Sequence, residues 1–277
     1  MKKMTLANLL LAGVITAGIA MQAQAHRAWI LPSSTVLSGD DPYVTFDAAV
    51  SNTIFFPDHV ALGADAVTAI APNGEKVALE NAARGKYRTT FDVQLKEKGT
   101  YKIGLASSGL RAFWKDDEGN RKMWPGRGQQ ANDADFATAV PKNAKELRVS
   151  QSSRRIETFV TAGEPSDTVL KPEGVGLELV PVTHPNDLYA GEAAKFKLLI
   201  DGEPAKGADV VLIPGGSRYR DNQDEIKVKA DTAGLFSVTW PSAGQYFMEA
   251  EYEDNKAKAP ATVRSASYAA TFEVLPM

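Results

Sequence analysis

Turn chemistry interrupts this chain at short intervals, and that rhythm confines it to short strands. Leu235-Phe-Ser-Val-Thr-Trp240 and Gln245–Tyr252 alternate apolar and polar residues around the turn Pro241-Ser-Ala-Gly244. Tyr43–Val50 does the same after Ser38-Gly-Asp-Asp-Pro42, as a half-buried strand must. Further runs are Trp29–Val36, Ala66–Ala71 before Pro72-Asn-Gly74, Tyr87–Leu95 before Lys98-Gly99, Thr100–Ala106 and Arg148–Thr161. In the second half Leu177–Val182, Lys195–Ile200, Ala208–Ile213, Glu225–Ala230 and a last run near Tyr268–Leu275 continue the pattern. Long amphipathic helix patterns are missing. Only Asp133–Val140 reads as a short helix, and Pro141 ends it.

The fold class expected from this is all-β. Two immunoglobulin- or transthyretin-like sandwiches in tandem occupy residues 26–165 and 175–277. A Pro/Gly-bearing linker, Gly163-Glu-Pro-Ser-Asp-Thr-Val-Leu-Lys-Pro-Glu-Gly174, lies between them. The charged stretch Trp114–Gln130 reads as an inserted loop whose two tryptophans pack back on the first sandwich.

The first 25 residues are of another kind. Lys2 and Lys3 precede the largely apolar run Leu6–Ala20, and Ala23-Gln24-Ala25 supplies the small residues that signal peptidase accepts. Cleavage after Ala25 makes the protein periplasmic and His26 its first residue. The mature chain then has 252 residues, from 277 less 25, with 29 basic and 34 acidic side chains after two lysines are lost. A balance of −5 argues against nucleic acid or an anionic membrane as partner. Absent cysteine excludes disulfides, thiolate metal sites and a cysteine nucleophile together.

An N-terminal histidine offers one metal ion two nitrogens, the α-amine and the imidazole Nδ1. The chain has three histidines, His26, His59 and His184. One more imidazole completes a three-nitrogen set suited to Cu(II) or Ni(II). If Trp29–Val36 and Tyr43–Val50 pair antiparallel, the chain after Val50 returns to the end where it began, so His59 can meet His26. Beside it, Asp58 is expected to orient a ring or ligate. His184 sits at a turn in the second sandwich, and only a folded-back arrangement brings it near. Asp40-Asp41 and Asp116-Asp117-Glu118 read as turn residues, and Asp221–Glu225 as a solvated hairpin tip. Neither a Gly-x-Ser-x-Gly elbow nor a glycine-rich phosphate loop occurs, so no catalytic or nucleotide-binding residues are assigned. Met123, Met248 and Met277, the methionines left after cleavage, are too scattered for a Cu(I) site.

Several segments together resemble one uncharacterised family of exported bacterial proteins of unknown function. They are His26-Arg-Ala-Trp-Ile-Leu-Pro32, Asp47–Asn52 with Asp58-His59, Glu157–Thr161, Leu177–Asp187 and Gly215-Gly-Ser-Arg-Tyr-Arg-Asp221. That family is often labelled the periplasmic component of cobalt or nickel transport systems, or nickel-uptake-like. The resemblance implies a protein that binds a divalent transition metal ion (nickel, cobalt or copper) and passes it to a membrane transporter, rather than an enzyme. Two alternatives remain. The same nitrogen set loaded with copper would support an oxidative enzyme, with the Trp114–Trp124 loop as its substrate face. A structural module that binds another exported protein is the other.

Overall fold

A computed structural model of the chain describes residues 26–126, 129 and 132–277; the segment 1–25, with its expected cleavage site, lies outside the described residues. Strands dominate, and the short helical turns at Asp133–Asp135 and Phe136–Ala139 fall where the sequence places them. Among the described residues no helix is long and apolar enough to cross a membrane.

One ten-stranded sheet runs through the whole molecule. Its order is Ile226–Lys229, Asp209–Pro214, Gly244–Asp254, Val263–Val274, Lys145–Ala162, Gly99–Lys115, Thr68–Ile70 and Lys76–Val77, with Val36–Leu37 and Arg121–Trp124 added at the side. The two halves of the chain join where Lys145–Ala162 runs parallel to Val263–Val274, from Ser150 opposite Val263 to Thr158 opposite Thr271. Two smaller sheets complete the fold. The first is Arg27–Pro32, Tyr43–Ser51, Thr89–Gln94 and Glu80–Arg84, with Val60–Ala61 beside it. The second is Leu177–Pro181, Ala193–Ile200 and Glu203–Pro204, with Leu235–Thr239 on Ala193–Ile200.

Side-chain alternation shows how these layers stack. Ile156, Val160, Ile213, Phe247 and Ala269 of the long sheet share a core with Trp29, Phe46 and Phe91 of the first small sheet. Their chain neighbours Leu212, Tyr246, Met248, Tyr268 and Ala270 share another with Phe196, Phe236 and Trp240 around the second. Successive residues of a strand point to opposite faces. The small sheets therefore cover opposite faces of one central sheet, here called front and back. The sequence suggests sandwiches joined only through residues 163–176. Instead they share a sheet, because a parallel pairing more than a hundred residues apart leaves no local trace in the pattern.

Each half repeats one device at a strand start. The Tyr101 hydroxyl donates to the Glu97 carbonyl (3.1 Å), and the Tyr246 hydroxyl to the Ser242 carbonyl (2.8 Å). Each ties a buried ring to the turn four residues before it, a tyrosine corner of the kind known in immunoglobulin-like sandwiches.

The expected loop Trp114–Gln130 starts as a hairpin. Arg121–Trp124 pairs with Ala112–Lys115, and Asp116 caps the turn by accepting from the Asn120 amide at 2.7 Å. Trp114 and Trp124 join Phe136, Val140 and Val149 in a small third core, with Trp124 edge-on to Phe136 at 5.4 Å. The tryptophans are partly buried against this core, as expected of a loop folded back.

Candidate functional site

The first strand opens the site. Trp29 is 1% exposed, and its indole N–H donates to Ser51 Oγ at 2.7 Å; Ser51 Oγ in turn donates to the Thr53 carbonyl at 2.7 Å. Arg27 lies opposite Ser51 in the antiparallel ladder. The chain thus leaves its second long strand at the end where it entered the first, as the hairpin geometry requires.

Loop Asn52–His59 is held by its own acid. One Asp58 oxygen accepts the Asn52 amide (2.8 Å) and side chain (3.3 Å), while the other accepts the Thr53 amide (3.3 Å). This departs from the expected role of Asp58 as a partner of an imidazole. Both carboxylate oxygens are satisfied by the loop, so the residue positions His59 through the backbone. Phe55 takes φ +59°, a left-handed conformation costing an ordinary residue about 1–2 kcal/mol. Its ring packs edge-on to Trp29 at 5.6 Å and is partly buried against the front core, which offsets that cost. Gly215 closes over this ring: a Cβ there would stand 3.4 Å from Phe55 and 3.1 Å from the Gln245 carbonyl.

Both histidine rings end up in contact and open to solvent. The imidazoles of His26 and His59 stack with centroids 3.7 Å apart and planes 15° from parallel. Nitrogen lone pairs lie in the ring plane, so parallel rings do not aim at one ion as they stand. Zn–N bonds of about 2.0–2.1 Å put two imidazole donors on one metal ion at most about 4 Å apart. The two rings are close enough in space to be candidates for such a pair, but they must turn out of the stack to chelate. Among the described residues no group of three or more His, Asp or Glu side chains gathers to hold an ion. The donor set here is two imidazoles, and the α-amine expected on His26 would be a third.

Arg27 anchors His26. Its Nε donates to Glu249 at 3.1 Å, one terminal nitrogen donates to Gln223 at 2.9 Å, and the other lies 3.6 Å from Glu225. The Asp221–Glu225 segment, read from sequence as a solvated tip, is therefore partly a clamp on the start of the first strand. Sequence offers no signal for this, since Arg27 and Glu249 lie 222 residues apart.

His184 is elsewhere. Its Nε2 is 3.0 Å from Thr100 Oγ1, and its Nδ1 accepts the Asn186 amide at 3.1 Å. Because Nδ1 accepts, the neutral ring carries its proton on Nε2 and donates to Thr100. The chain continues from Thr100 to Thr161 (3.0 Å) and from Thr161 to Asn186 Oδ1 (2.9 Å), while the Ser166 amide also donates to Thr100 (3.0 Å). Burial lowers the His184 pKa from its ordinary 6.5, outweighing Asp167 and Asp187 nearby. Thr161 alternates with Val160, which belongs to the front core, so His184 stands at the back face. The three histidines do not converge: two meet at the front and the third seals the back.

Also at the back is a charged group that the sequence reading missed. Arg155 and Glu157, 7% and 6% exposed, pair at 3.0 Å. Glu173 (3.3 Å) and Glu178 (3.6 Å) approach Arg155 as well, and the Tyr268 hydroxyl donates to Glu157 at 2.8 Å. Glu178 accepts the amides of Glu173 and Gly174, both at 2.7 Å, which fastens the expected linker to the central sheet.

Comparisons with known proteins give little beyond the family. No curated protein matches the chain. Solved structures of similar β type include the D0-D1 domain of intimin, with 11% identity over 88% of this chain and 96% of that one at a TM-score of 0.21. The human OSCAR ligand-binding domain has 11% identity over 88% and 97% at 0.18. Chicken CNTN1 FN1-FN3 domains have 7% identity over 89% and 97% at 0.25. None of these scores supports transfer of a property. The family profile matches residues 23–254, most of the chain, and the protein belongs to the family described as a domain of unknown function, DUF4198.

Proposed function

We propose that this is a periplasmic binding protein for a divalent transition metal, exported by its first 25 residues and cleaved to begin at His26. The metal is nickel, cobalt or copper, and it is cargo for a membrane transporter rather than a catalytic cofactor. One observation carries the reading: two of the chain's three histidines, 33 residues apart, stack at 3.7 Å on an open surface. Cleavage adds the His26 amine and gives three nitrogens. Few donors on an exposed rim suit capture and release. The nickel and cobalt label attached to similar exported proteins agrees with this chemistry, as does the nitrogen-only donor set. Trp114 and Trp124 pack against the third core, which leaves less of them for the flat substrate face that a copper-dependent oxidase reading needs.

Titration of Ni(II), Co(II) and Cu(II) into the mature protein tests the reading. Supporting groups around a metal site are worth about 10–100-fold in affinity, and a direct ligand is worth at least as much. His26→Ala, His59→Ala and a one-residue extension before His26 are each expected to weaken binding about tenfold or more. His184→Ala leaves it unchanged. Affinity falls as pH drops, because amine and imidazole bind only unprotonated. An extended protein that binds as tightly as the mature form removes the amine from the site and sinks the proposal.

A further inference from the structure

Beyond the start of the first strand, the front face of the central sheet is open among the described residues. Buried Ile156 is followed two residues back by exposed Arg154 on the same face. A cleft of about 310 Å³ opens there, lined by His26, Arg111, Ser152, Arg154, Glu251 and Ser267 among others. That volume is at the lower end of the range for small-molecule sites, about 300–1,000 Å³.

Charge pairing in the cleft is incomplete. Neither Arg111 nor Arg154 forms an ion pair or a side-chain hydrogen bond with another described residue, whereas Arg27, Arg88, Arg155 and Arg264 all do. Cleft walls strip part of the water from the Arg154 head and disfavour its charge; nearby Glu249 opposes this, and the Arg111 cation adds to it. Glu249 is engaged by Arg27. Glu251 is the one remaining counter-charge on the far wall, facing two arginines; burial and Glu249 push its pKa up. Arg111 lies opposite Ser150, four residues along the strand from Arg154, about 13 Å between backbones on one face. Two long guanidinium arms at that spacing line the same cleft.

We propose that this cleft binds a small multiply charged oxyanion, a polycarboxylate or inorganic phosphate, held by Arg111 and Arg154 with Ser152 and Ser267 as hydroxyl donors. Guanidinium forks recognise carboxylate and phosphate oxygens through paired hydrogen bonds. His26 forms one wall, so the bound anion supplies the coordination positions that the histidines leave open. The cargo metal is then taken up as its complex with the anion. This last step rests on the metal reading above; the anion site itself does not.

Calorimetric titration of the metal-free mature protein at low ionic strength, with citrate and separately with inorganic phosphate, tests the site. Saturable binding is expected. Arg154→Gln and Arg111→Gln weaken it about tenfold or more, while Arg88→Gln, remote and paired with Asp47, has no effect; circular dichroism confirms that each variant folds. Tighter binding of citrate than phosphate assigns the span to a polycarboxylate, and the reverse assigns it to phosphate. Absence of saturable binding, or equal binding by wild type and both arginine variants, overturns the site. In a second arm Ni(II) is titrated with and without saturating citrate. Arg154→Gln is expected to keep the affinity for the bare metal and lose the gain from citrate. Citrate that merely strips Ni(II) equally from both proteins overturns uptake as a complex. Citrate binding to a protein that holds no metal under any condition defeats the metal reading and leaves the anion site standing.

Discussion

Arg154 and Arg155 are neighbours on one strand and meet opposite environments. Arg154 points to the open front face, exposed and without an ion pair among the described residues. Arg155 points to the back, is 7% exposed, and is enclosed by Glu157, Glu173 and Glu178. The histidines divide the same way, with His26 and His59 stacked in solvent at the front and His184 sealed by hydrogen bonds at the back. One sheet thus carries a surface kept available for ligands and a surface spent on cohesion. Chemically similar residues acquire different roles from the direction in which a period-two strand aims them.

The largest effect that separates the faces is on stability. Removing one partner of a buried ion pair costs about 3–5 kcal/mol, because the others are left charged and dry. Arg155→Ala strands Glu157 and Glu178 and is expected to cost that much by urea unfolding. Arg154→Ala, with no pair to break, stays within about 0.5 kcal/mol of wild type. Equal costs for the two would erase the distinction between the faces.

His184 gives the next effect and adds a pH signature. His184→Ala leaves Thr100 and the Asn186 amide short of a partner at a half-buried junction, worth about 1–3 kcal/mol. The sign with pH follows from its lowered pKa. In the unfolded chain the ring takes a proton near its ordinary value of 6.5, but the folded ring resists until lower pH. Between those values the unfolded state binds more protons, so stability is lost as pH falls from about 6.5. Unfolding measured from pH 7.5 to 5 is expected to show this slope in wild type and a flatter one in His184→Ala. An unchanged slope would show that other groups set it.

Much of the fold was legible because β alternation is local. Leu177–Pro181, Ala193–Ile200 and Leu235–Thr239 lie within a few residues of where the pattern puts them. The meeting of His26 and His59 was legible too, since an antiparallel pair must return the chain to its starting end. What escaped depends on distant partners. The parallel contact of Lys145–Ala162 with Val263–Val274 fuses the halves, and no residue near Ser150 announces Val263. The Gly163–Gly174 stretch reads as a loose linker from its glycines and prolines, yet Glu178 and Arg155 hold its end. Three separate segments, at Thr100, Thr161–Ser166 and His184–Asn186, build the bonds around His184, so the residue looks from sequence like any turn histidine.

The smallest effect is the most telling one for the front face. Solvent-exposed side chains away from caps, pairs and cores change stability by no more than about 0.5 kcal/mol. His26 and His59 are exposed, and what holds their loop is Asp58 on the Asn52 and Thr53 amides, Trp29 on Ser51 and Arg27 on Glu249. None of those bonds uses an imidazole. Stacking of two small rings in water adds a few tenths of a kcal/mol at most by comparison with about 0.5–1.5 kcal/mol for aromatic pairs packed in proteins. His26→Ala, His59→Ala and the double variant are therefore expected to unfold within about 0.5 kcal/mol of wild type in metal-free buffer. A double variant that loses as much as His184→Ala would make the stacked pair structural. It would leave the two faces of the sheet alike.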